Sequence, residues 1–71
     1  MGVTYKKLWK LLIDKEMSKS ELRENAGIAA STLSRMNKNE FVSLEVLIKI
    51  CVALGCEIGD IIDITSTQED E

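Results

Sequence analysis

The stretch SKSELRENAGIAASTLSRM, residues 18 to 36, constrains the fold more than any other part of the chain. Its opening is a capping box: the Ser18 hydroxyl can accept from the amide of Glu21 while the Glu21 carboxylate reaches back to the amide of Ser18, so a helix starts at Lys19. Little more than about two turns later the chain meets Gly27, which suits a left-handed C-terminal position because it carries no Cβ. A second apolar rhythm, with Leu33 and Met36 three apart, begins almost at once. Two helices this short, divided by a corner at Ala26 to Ile28, must brace each other.

The inner side of that pair is expected to hold Leu22, Ala26, Ile28, Leu33 and Met36, which leaves Ala30, Ser31, Ser34, Arg35 and Lys38 facing out. Small hydroxyls and one arginine offer little to acid-base chemistry. The chain has no histidine, so a nucleophile would lack its commonest partner base, and no enzymatic activity is expected. Cys51 and Cys56 are too few for a disulfide framework and lack the company for a metal site, so both are read as free thiols, with no metal or cofactor.

The remaining segments complete a helical domain. TYKKLWKLLIDKE has apolar residues at 5, 8, 9, 12 and 13, an amphipathic stripe that Thr4 can cap. Trp9 is expected to pack within the core against a fifth helix. Asn39 is a plausible left-handed stop after the third helix. Ser43 caps a fourth, LEVLIKICVAL, closed by Gly55, whose stripe is expected to run through Leu44, Leu47, Ile48, Cys51 and Leu54, extended by Ile50. The fifth helix is expected around Ile58 to Ile62. The fold class is thus all-α, a compact five-helix domain over 1 to 64, with 65 to 71 a flexible acidic tail. β-branched residues in GVTY and DITS leave open a short ribbon between the two ends, secondary to the all-helical reading.

A single core suffices for 71 residues, and an apolar share of 45 % can fill it. No apolar run approaches the ~18 residues of a membrane span, and the N-terminus lacks the apolar segment of a signal peptide, so a cytoplasmic protein is expected. The net charge of −3 taken alone disfavours a polyanionic partner. Counted by halves it does not: residues 1 to 38 carry eight Lys/Arg against four Asp/Glu, whereas residues 39 to 71 carry Lys49 against eight acids. One end can therefore face a polyanion while the other keeps the molecule soluble.

The helix, glycine corner and helix have the spacing of a helix-turn-helix, and a helix is of a size to enter the major groove of B-form DNA, where each base pair shows a distinct donor and acceptor pattern. From about Tyr5 to Ile62 the chain resembles the DNA-binding domain of the Cro and lambda-repressor-like regulators, especially its short stand-alone members. The resemblance rests on AGI, the pair Leu33 and Met36, SLEVLIKICVALG and the final IGDII. It implies that Ala30, Ser31, Ser34 and Arg35 read base edges. Phosphate contacts map onto Ser18, Lys19, Lys38, Asn39 and Ser43, with Thr32 closer to the backbone. The sequence departs from the family at Arg23, where a small residue is usual, and at Ala29, which replaces the usual Ser/Thr cap of the third helix.

The function implied is that of a sequence-specific transcriptional regulator, with repression its simplest mechanism, bound to double-stranded DNA as a homodimer and needing neither a membrane nor a small-molecule substrate. The competing reading is an adaptor or antitoxin-like protein-binding module on a helix-turn-helix scaffold.

Overall fold

The computed structural model describes residues 2–65. Four α-helices are closed at the chain ends by a two-stranded ribbon. In order, the elements are β1 (Gly2–Thr4), α1 (Lys6–Asp14), α2 (Lys19–Ala26), α3 (Ala30–Asn37), α4 (Leu44–Leu54), a single 3-10 turn at Ile58–Asp60, and β2 (Asp63–Thr65).

The caps fall where their chemistry places them. Ser18 Oγ accepts from the Glu21 amide at 3.1 Å and Glu21 Oε1 accepts from the Ser18 amide at 2.8 Å. Ser43 Oγ accepts from the Val46 amide at 3.2 Å. Gly27 and Gly55 end α2 and α4 in the left-handed region, with φ of 69° and 66°. Asn39 stops the turn after α3 at φ 59°, and Glu16 takes φ 55° between α1 and α2. At the start of α1 the cap residue is Tyr5, while Thr4 Oγ1 accepts from the Lys6 amide at 3.3 Å.

The core is drawn from every helix: Tyr5, Leu8, Leu12, Leu22, Ile28, Met36, Leu47, Ile50, Leu54 and Ile61 are buried together. α2 packs on α4 on one side and on α3 on the other, so the helix-turn-helix pair rests on the broadest apolar element.

Four expectations need correction. The fifth helix is only the 3-10 turn Ile58–Asp60, after which β-branched Ile64 and Thr65 run extended in β2. The fold is therefore not all-α. β1 and β2 pair antiparallel, Gly2 with Thr65, Val3 with Ile64 and Thr4 with Asp63, so Thr65, assigned to the tail on sequence grounds, ends a strand. The rest of that tail, 66 to 71, lies outside the described residues. α4 is rotated from the expected stripe: Leu47, Ile50 and Leu54 point inward, whereas Leu44 and Ile48 are exposed. Leu33 is only half-buried and stands outside the core cluster, leaving Met36 as the buried anchor of α3.

Candidate nucleic-acid interface

The outer face of α3 is built by elimination. With Met36 fully buried, helical periodicity turns Ala30, Ser31, Ser34 and Arg35 outward, and all four are exposed; Thr32 is half-buried. Among the described residues Arg35 enters no ion pair, so its guanidinium is available to a ligand. Ala29 leaves α3 without a side-chain cap, as its sequence indicates.

Three hydrogen bonds hold the C-terminal end of α3 and the turn after it against the rest of the molecule. The Tyr5 hydroxyl donates to the carbonyl of Glu40 at 2.6 Å, and the Tyr5 amide donates to Asn39 Oδ1 at 3.4 Å, which ties the turn after α3 to the start of α1. Lys19 Nζ, at the opening of α2, donates to Asn37 Oδ1 at 2.6 Å and lies 4.1 Å from the centroid of the Trp9 ring. Lys19, Trp9 and Asn37 thus join α1, α2 and α3 at one point. Trp9 is half-buried against the core with its ring under Lys19, where the sequence pairs it with a fifth helix. Sequence reasoning missed Asn37 as a partner of Lys19. Nothing local marks that pair, since 18 positions separate the two residues.

The other expected phosphate contacts are already employed in the fold but retain a donor. Ser18 and Ser43 accept their capping bonds and keep a free O–H, and Asn39 accepts at Oδ1 and keeps its amide N–H groups. Lys38 is exposed at the C-terminal cap of α3. The basic half is not wholly free: Lys7 pairs with Asp63 at 3.1 Å and donates to the Gly59 carbonyl, so it serves to hold β2 and the 3-10 turn on α1.

The model of the Cro/C1-type HTH DNA-binding domain matches residues 7–66. The chain belongs to that family. The Cro/C1-type assignment covers α1 to β2 and makes this a DNA-binding transcriptional regulator rather than an enzyme. Among curated relatives it is 36 % identical over 61 residues to YozG of Bacillus subtilis strain 168, described as an uncharacterized HTH-type transcriptional regulator, a match spanning 83 % of this chain and 73 % of that protein. Among solved structures it is similar to the crystal structure of the transcriptional regulator VanUg, form II. That match has a TM-score of 0.85 and 56 % identity, over 87 % of this chain and 83 % of the other.

Other site classes find no support among the described residues. No group of three or more His, Cys, Asp or Glu could hold a metal ion, and no helix is long and apolar enough to cross a membrane. Cys51 and Cys56 are unpaired in a disulfide. Burial, reinforced by Cys56 nearby and the acids Glu57 and Asp60, pushes the Cys51 thiol up to about 11, which disarms it as a nucleophile.

Proposed function

We propose that this Cro/C1-type protein represses transcription by laying α3 in the major groove of an operator and blocking the polymerase. The observation that carries the reading is the composition of the exposed α3 face. Arg35, unpaired among the described residues, stands one turn from Ser31 and Ala30, and Lys38 follows at the helix end. Arg35 can make a bidentate pair with guanine O6 and N7, worth roughly 1 to 3 kcal/mol against a wrong base. Ser31 and Ser34 donate or accept and select poorly, while Ala30 can touch a thymine methyl. Ser18, Lys19, Lys38, Asn39 and Ser43 hold phosphates, with Thr32 close to the backbone.

Four readers specify a short half-site, so two copies on a pseudo-palindrome, with half-sites about 34 Å apart, supply the rest. Neither relative lends support to the adaptor alternative.

The test is fluorescence anisotropy with duplexes enriched by in vitro selection. Log affinity falls linearly with log salt; Lys38→Ala weakens all duplexes alike and lowers the slope by about one unit, whereas Arg35→Ala flattens the preference at one base pair. Enrichment of random sequence, or an Arg35→Ala protein with unchanged preference, refutes the proposal.

A further inference from the structure

The face of α4 that turns away from the core is apolar. Leu44, Ile48 and Val52 follow one another at four-residue spacing and are 61 %, 49 % and 77 % exposed, while Phe41, in the loop that leads into the helix, is 64 % exposed. These four present on the order of 400 Å² of apolar surface, a patch of the size that is often functional on a monomer. None of them belongs to the proposed reading face, and none of the four contributes to the core.

We infer that this ridge is the surface through which two copies of the chain pair, α4 against α4 in antiparallel fashion about a two-fold axis near Ile48. The inference specifies the face for the dimer proposed above and rests on that reading only for the claim that two copies assemble.

Three observations favour a second copy as the occupant. The first is shape: at the C-terminal end of the ridge lies an open hollow of about 410 Å³, lined by Ile48, Cys51, Val52, Gly55 and Ile58 among others. With the axis near Ile48, Leu44 of one copy falls against Val52 of the other. Phe41, beyond the opposite end of the ridge, then comes to the hollow around Gly55. Each copy thus supplies both the projection and the recess.

The second is charge. Glu45 and Lys49 lie side by side along one edge of the ridge, 3.7 Å apart. In an antiparallel pair about Ile48 the same edge of both helices meets, so Lys49 of each copy lies beside the axis next to the other Lys49. Each lysine has Glu45 of the other copy on its outer side, which gives two opposite-charge neighbours for one like-charge contact. The third is area. Two ridges remove about 800 Å² of apolar surface, which with a polar rim reaches the low end of specific interfaces. Such a dimer is weak alone and strengthened when both copies hold one DNA molecule.

Sedimentation equilibrium of the full chain without DNA, from about 10 µM to about 1 mM, tests this. The expected result is a mass rising from 7.9 kDa towards twice that value. Ile48→Glu raises the dimer dissociation constant about tenfold or more, with its melting curve confirming the fold. Glu45→Lys and Lys49→Glu each weaken pairing, and the double variant restores it. A wild-type chain that stays monomeric throughout overturns the inference, as does an Ile48→Glu protein that pairs as well as wild type or a double variant as weak as the singles. Arg35→Ala pairs normally; a wild-type chain that pairs but selects no duplex sequence refutes only the function proposed above, and one that selects a sequence while Ile48→Glu leaves pairing intact refutes only this face.

Discussion

Replacing Tyr5 by Phe isolates one hydrogen bond that holds the turn after α3. The phenol ring is 2 % exposed and its hydroxyl donates to the Glu40 carbonyl at 2.6 Å. Phe fills the same space, so no cavity term arises, and the freed carbonyl belongs to an exposed loop residue that water can reach. The loss is then near the ordinary net value of a hydrogen bond, about 1 kcal/mol, and should lower the melting temperature by about 4 to 8 °C in a domain of this size. The assay is thermal unfolding followed by far-ultraviolet circular dichroism. A pH series adds a second reading, because burial raises the Tyr5 phenol above its ordinary value of 10.0. The neutral phenol is favoured in the folded chain, so its stability is intact below 10.0 and is lost as pH rises through the folded value. Tyr5→Phe should lack that component of the alkaline loss. A variant that melts within about 2 °C of wild type and keeps the full alkaline loss would refute the reasoning.

Glu16→Gly relieves a left-handed residue at φ 55° and should stabilise the fold by about 1 kcal/mol, read as a higher denaturant midpoint at unchanged slope. The Cys51 thiol, raised from 9.0 to about 11, should react with iodoacetamide at mildly alkaline pH about 100-fold more slowly than an ordinary thiol, with mass spectrometry locating the adduct. Since its folded value is the higher one, its contribution to stability is present below 9.0 and is lost as pH climbs towards 11. Lys19→Gln removes the ammonium above Trp9, so the emission of this sole tryptophan should shift in the free protein, and the salt slope of DNA binding should fall by about one unit.

The parts of the fold that were legible in the sequence are those decided locally. Ser18 with Glu21, Ser43, Gly27, Asn39 and Gly55 each act on atoms within a few residues, and each bounds its element as its chemistry requires. What failed depended on distant partners. LEVLIKICVAL is apolar almost all round, so periodicity alone does not say which side packs, and the core shared with the other helices decides it by taking Leu47, Ile50 and Leu54. In IGDII the apolar spacing suits a helix, but Ile61 enters the core at the end of a single 3-10 turn and the chain then turns to meet β1, a partner some sixty positions earlier. The outward residues of α3 followed from the buried position of Met36 and stand exposed. The clasp of Lys19, Trp9 and Asn37, which spans three helices, could not be found by any local pattern.

The ribbon between Gly2 and Thr65 turns the domain into a closed circuit, entered and left at one place. Because the two strands run in opposite directions with Gly2 opposite Thr65, a pull on both ends opens the pairs one after another like a zip, without loading them all at once. Mechanical resistance therefore resides in the helical core, reached only after β1 and β2 have parted. The same closure means that a short tether could join the two ends and new ends be cut in an exposed loop elsewhere, with the helices left in their places.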